Sequence, residues 1–258
     1  MRPRWILDLH EDFPGSAVVA AKLEDAVIVD ATDAIFGDWP ALDATVRPLV
    51  GYGTMRTMTR LRRDPRLGEA VFDDYGALRC SMYYRYVFDL LGRAAFLAPF
   101  SALPQLPLAR MFSADRVFVR SDTNYKLFPA GAHDIAWLSR LLETYREHRD
   151  ELVVVSEVVN FTCEYRSFCR DGRFVCGSSY PYEPWEPVPG EVRGFAEMAA
   201  QRLVAQGMTM TTIDVGLDER GAMRLVEVGG VNSWGIYGSD VDAFIAAMEA
   251  EAVEQAAP

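Results

Sequence analysis

The sequence predicts an α+β protein in two parts, and three observations carry this. Residues 4–9 (RWILDL) and 26–30 (AVIVD) read as strands around a helix-compatible segment at 15–23, a β-α-β opening that favours a small parallel sheet. Residues 163–180 read as a hairpin about Asp171-Gly172, and the stretch from Thr211 to Tyr237 begins as two strands joined by Asp218-Glu219-Arg220-Gly221. A proline-rich run with Pro99, Pro104 and Pro107 lies between, and it places a domain boundary near residue 109. The expected division is an N-terminal α/β domain, 1–109, and a second domain, 110–258.

Composition narrows the function classes. The chain has 258 residues, half of them hydrophobic and about a quarter charged, which suits a globular protein with a sizeable core. A net charge of −11 argues against non-specific binding to nucleic acid or anionic membrane. Lys22 and Lys126 are the only lysines among 26 basic residues, which singles out Lys126, because an ammonium and a guanidinium are not interchangeable. The four cysteines form no CxxC pair, so neither a zinc site nor a disulfide framework is indicated, and reduced thiols in a cytoplasm are expected. The start, MRPRWILDLHEDF, lacks the apolar core of a signal peptide. The run Ala94 to Phe112 is too broken by prolines for a membrane span and reads as a linker.

The remaining elements follow from periodicity. Asp38-Trp39-Pro40 and Arg47-Pro48 punctuate the early chain, and Gly51-Tyr52-Gly53-Thr54 reads as a turn. On a helix over 55–66, Arg56, Arg60 and Arg63 share a face, either solvated or facing a substrate anion. Residues 81–97 read as a buried helix and 134–149 as an amphipathic one. Arg116 to Arg120 reads as a strand that ends at Arg120, with Lys126 in the following loop. Leu152 to Val159 is almost continuously apolar, as a strand buried on both faces should be, and Glu157 interrupts it. A helix is expected over 191–206 and another from Ser239, where Ser239 and Asp242 resemble a capping box.

Two carboxylate settings carry chemistry. With a two-residue turn at Asp171-Gly172, Arg166 would pair with Gly177 and Glu164 with Ser179. Glu164 and Arg166 would then share a face, either as an internal ion pair or beside a ligand approaching over Gly177. With 219–222 as the loop, Asp214 would lie opposite Glu227. Facing acids repel, and Mg2+ would remove that cost because it prefers carboxylate oxygens. Asn232 offers a neutral oxygen nearby. Two solvated acids on a surface hairpin are the alternative. The loop YPYEPWEPVP at 180–189 suits a lid or a substrate contact.

In their order and spacing, FVRSDTNYK, VSEVVNFTCEYRSF, DVGL and RLVEVGGVNSWG resemble the ATP-grasp superfamily, over about the C-terminal 145 residues. The likeness is to its compact bacterial and phage members. The resemblance implies an ATP-grasp fold, two α+β lobes clamping ATP, with a hinge near 155–160. It implies that Glu157, Val158 and Val159 meet adenine, Glu164 the ribose, Arg120 and Lys126 the phosphates, and Arg166 the transferred phosphoryl group. Arg166 and Lys126 would be the catalytic pair. Asp214 and Glu227, with Asn232, would hold Mg2+. The family usually carries Asn two residues after the metal-binding Glu, and here that position is Gly229. The implied activity is ATP-dependent carboxylate–amine ligation through an acyl phosphate, on a small-molecule or peptide substrate. A homodimer is a further expectation. Phosphotransfer on the same scaffold, or ATP binding without turnover, are the alternatives.

Overall fold

The computed structural model describes residues 2–29 and 48–257. The punctuation expected at 38–40 and the last residue of the 26–30 strand lie outside the described residues.

The chain opens with β1 (Arg4–Asp8), α1 (Gly15–Ala20) and β2 (Ala26–Val29), then β3 (Leu49–Tyr52) and α2 (Met55–Arg63). β1 lies between β2 and β3 and is parallel to both. As befits a central parallel strand, Trp5 to Asp8 are all buried. Thr54 caps α2, its side chain accepting from Thr57 N–H.

α3 (Cys80–Val87) is shorter than the expected helix over 81–97. Gly92 at φ +58° ends the helical stretch, and 95–99 forms β4 (Ala95–Pro99). The expected linker is therefore structural. β4 pairs with a strand at 152–156, and Phe100, Leu103 and Leu108 enter a core with Val117, Val119, Val153 and Val155. Local periodicity could not reveal this, because the pairing partner lies more than 50 residues away. After α4 (Leu108–Phe112) come β5 (Arg116–Ser121), β6 (Gly131–Asp134), α5 (Leu138–Thr144) and β7 (Leu152–Ser156). Their sheet has the order β4-β7-β5-β6, antiparallel throughout.

The rest comprises β8 (Phe161–Arg170), β9 (Arg173–Tyr180), α6 (Gly190–Val204), β10 (Met210–Asp218), β11 (Met223–Gly229) and α7 (Val241–Gln255), with strand order β11-β10-β8-β9. Asp171 and Gly172 both have positive φ, +50° and +71°, as a type I′ turn requires. Asp240, not Ser239, caps α7, accepting from the N–H groups of Asp242 and Ala243.

The chain forms two compact units. One comprises 1–74, 163–215 and 227–258; the other comprises 75–162 and 216–226. The first has the parallel sheet and a core in which the Phe244 ring lies 5.1 Å from that of Tyr52 and 5.0 Å from that of Phe168. The second has the β4–β7 sheet; residue 109 falls inside it, within α4. Among the described residues no helix is long and apolar enough to cross a membrane.

Candidate functional site

In the second unit, the loop after β5 is anchored at its base, and the Tyr125 ring packs 5.4 Å from that of Tyr75. Asp122 is fully buried and accepts from Arg79 Nε at 2.7 Å, from Ser81 N at 2.6 Å and from Ser81 Oγ at 2.9 Å. Thr123 N–H donates to Ser121 Oγ. Beyond these anchors, Lys126 is exposed with φ +48°, a conformation non-glycine residues rarely hold. Arg120, on β5, is half-buried and donates to Asn124 Oδ1 at 3.3 Å.

The same unit carries a pocket of about 520 Å³, within the usual size range of small-molecule sites. Phe112, Val158 and Val159 give it apolar walls, and Arg93, Arg116 and Glu157 give it polar ones. β7 ends at Ser156, so 157–160 leave the sheet. Glu157 is tied twice to Ala94: its N–H donates to Ala94 O at 3.0 Å, and its Oε2 accepts from Ala94 N at 2.8 Å. Glu157 is exposed, so the strand buried on both faces that was expected through Val159 stops at Ser156.

In the first unit, the hairpin register departs from the simple expectation. Beyond the Arg170–Arg173 and Cys169–Phe174 pairs, a β-bulge shifts the ladder by one residue. Arg166 therefore pairs with Ser178 and Glu164 with Tyr180. A Cβ at Gly177 would overlap the Arg166 carbonyl, so this glycine marks a close backbone approach and not an opening for a ligand. The bulge brings Tyr180 into the site. Its hydroxyl lies 2.9 Å from Glu164 Oε2 and 3.1 Å from Asp214 Oδ2.

Arg166 pairs with Asp214, not with Glu164. Nε donates to Oδ1 at 2.9 Å and Nη2 to Oδ2 at 2.7 Å. The guanidinium carbon sits 4.7 Å from the Tyr180 ring centroid and 5.2 Å from that of Tyr237, and the two rings stack 5.4 Å apart. Burial works against the charge, but Asp214 more than offsets it, so the arginine holds its proton more tightly than usual. Burial pushes the Glu164 carboxyl up; the Tyr180 hydroxyl opposes this, while Asp214 and Glu227 add to it. Glu164, Asp214 and Glu227 thus form one electrostatic group. Tyr237, like Lys126, has positive φ, at +47°. The sequence singled out the loop that begins at Tyr180 and the stretch that ends at Tyr237 without assigning either tyrosine a partner. The only signal was the aromatic density of the loop and of the glycine-rich exit.

The profile described as ATP-grasp domain, R2K clade family 2, matches residues 91–247. The chain belongs to this ATP-grasp family. No curated protein sequence matches it. Solved structures similar to this ATP-grasp protein include the D-cycloserine synthetase DcsG, at 11% identity and TM-score 0.66, covering 96% of this chain and 99% of that one. Another is D-alanyl-alanine synthetase A from Vibrio cholerae O1 biovar eltor str. N16961, at 10% identity and TM-score 0.63, covering 98% and 99%. A third is the ATP-grasp ligase PsnB complexed with minimal precursor, Mg and ADP, at 13% identity and TM-score 0.56, covering 95% and 97%. At such identities the likeness is one of fold.

Asp214 and Glu227 offer the carboxylate oxygens that a hard cation prefers, and Asp214 commits both of its oxygens to Arg166. Among the described residues no three His, Cys, Asp or Glu side chains form a protein-only metal cage. Asn232 does not fit the set. Its Oδ1 accepts from Phe72 N at 2.8 Å and Asp73 N at 3.1 Å, and its Nδ2 donates to Gly51 O and Ala70 O. Both lone pairs and both hydrogens are spent on backbone, so the metal-ligand expectation for Asn232 is withdrawn. Asp73 is the other half of this clamp, accepting from Val231 N at 2.6 Å and Asn232 N at 3.1 Å.

Proposed function

We propose that this ATP-grasp protein is an ATP-dependent carboxylate–amine ligase. The observation that carries the reading is the convergence of Glu164, Arg166, Tyr180 and Asp214, with Glu227 acting on the same group. Asp214 and Glu227 would hold Mg2+, which supplies charge neutralisation to the nucleotide phosphates. Glu164 would bind the ribose, and Arg166 would exchange part of its bond to Asp214 for the transferred phosphoryl group. In the second unit, Lys126 and Arg120 would bind phosphate, and Val158 and Val159 would pack on the base. Glu157 keeps its carboxylate on Ala94, so the base would be read through backbone groups at 157–159.

Phosphoryl transfer asks mainly for positioning and charge stabilisation, which this set supplies without a histidine base. A substrate carboxylate oxygen attacks the γ-phosphorus, the bond to the β–γ bridging oxygen breaks, and ADP leaves. The amine nitrogen then attacks the acyl carbon, the C–O bond to phosphate breaks, and the amine loses a proton as the amide forms. The test is ADP release with Mg-ATP across a panel of amino acids and peptides. Amide product with stoichiometric ADP and phosphate is expected. A stable phosphorylated product would point to phosphotransfer instead. The closed Arg166–Asp214 pair favours a second reading, nucleotide binding without turnover; thermal stabilisation by Mg-ATP with no ADP released by any acceptor would favour it over ligation.

A further inference from the structure

Gly229 ends β11, two residues after Glu227. Side chains two apart on a strand share a face, so a side chain at 229 would rise beside that of Glu227. There is no room for it, because a Cβ there would collide with Nε1 and Cε2 of Trp234. The nitrogen edge of the indole fills the space from which a second metal-ligating side chain would project. Trp234 is 6% exposed, and its backbone carbonyl accepts from the Tyr52 hydroxyl at 2.8 Å. Its indole N–H donates to no protein group among the described residues. Nε1 is not among the buried atoms left without a partner, so an incoming group can reach it. An unspent, accessible donor beside acids that would hold a cation suits an acceptor that arrives with that cation.

We propose that Trp234 contacts the nucleotide. Its N–H donates to an oxygen at the β–γ end of the triphosphate, and the chain holds one divalent cation, not two. The proposal rests on the Mg-ATP reading above. Asp214 and Glu227 would hold a cation that supplies charge neutralisation to the phosphates, and the indole edge lies where a side chain beside Glu227 would rise. A donor already in place would stabilise developing charge without reorganising. Asn232, its carboxamide committed to four backbone groups, supplies no second ligand in place of the one Gly229 lacks.

The test counts metal and measures affinity. Mn2+ is titrated against the intact chain saturated with a non-hydrolysable ATP analogue, and free Mn2+ is followed by electron paramagnetic resonance. Affinities for the Mn-loaded analogue and for AMP are compared between the wild type and Trp234→Phe. One Mn2+ per complex is expected. The variant should bind the analogue on the order of tenfold more weakly, the worth of a hydrogen bond to a charged group, with AMP affinity and Mn2+ count unchanged. Two Mn2+ per complex, or equal analogue affinity in both proteins, overturns the proposal and leaves nucleotide binding standing. Equal weakening for AMP and analogue makes Trp234 a structural residue and also overturns it. Failure of the wild type to bind the analogue at all removes the Mg-ATP reading and this proposal together.

Discussion

Arg166 grips both oxygens of Asp214 with side chains only 9% and 2% exposed, so the residue suited to the phosphoryl group and the residue suited to the cation neutralise each other before any ligand arrives. Breaking one side of a buried pair costs about 3–5 kcal/mol, because the other charge is left unpaired, whereas replacing both with apolar groups is often neutral. Arg166→Met should therefore lower the urea midpoint strongly. Arg166→Met combined with Asp214→Leu should recover most of that loss and still release no ADP. A double variant no more stable than the single would mean that the pair is not the source of the cost.

Tyr180 has one hydroxyl hydrogen and two carboxylate oxygens within reach. Burial raises the Glu164 carboxyl, the Tyr180 hydroxyl opposes this, and Asp214 adds to the rise. A cation arriving at the acids would lower it. Mg-nucleotide binding should therefore release protons and tighten as pH rises through the Glu164 transition. Calorimetry in buffers of different ionisation enthalpy should detect the release in wild type and find less of it in Glu164→Gln.

Asp73 is buried and its carboxyl is pushed up to about 7 by desolvation, against the lowering effect of the Val231 and Asn232 amides and of Arg62. Its folded value exceeds its unfolded one, so the folded state binds the proton more tightly. The stability this contributes is full below about pH 4 and is lost as pH rises toward about 7, on the order of a few kcal/mol in total. Asp73→Asn should flatten that slope in denaturant titrations between pH 5 and 8. It should also cost about 1–3 kcal/mol at pH 5, because an amide NH2 then faces one of the two backbone N–H groups.

Asn232→Ala separates structure from metal. Loss of contacts to Phe72, Asp73, Gly51 and Ala70 leaves buried backbone groups unmet, at about 1–3 kcal/mol. The melting temperature should fall, while the folded fraction should bind Mn2+ with wild-type affinity. A tenfold loss of Mn2+ affinity in folded protein would restore Asn232 to the metal shell.

The sequence by itself determined what is local and periodic. It showed the β-α-β opening, the apolar run that became β7, the type I′ turn at Asp171-Gly172 and the loop at 219–222. It also showed the order of basic, acidic and glycine-rich segments by which the ATP-grasp family is recognised. Each of these depends on neighbours within a few residues, where propensity and alternation act.

Only the tertiary structure decided who meets whom. One bulged residue in β9 turned Tyr180 toward Glu164, and with it every register position from Phe168 back to Glu164 changed partner. The sheet at 152–156 drew 95–99 out of a helix-like apolar run. Asp214 met Arg166 across 48 residues, and the backbone at 51, 70, 72 and 73 consumed Asn232. Such contacts arise from closing long loops and filling a dense interior, and neither condition leaves a mark in the spacing of residues along the chain.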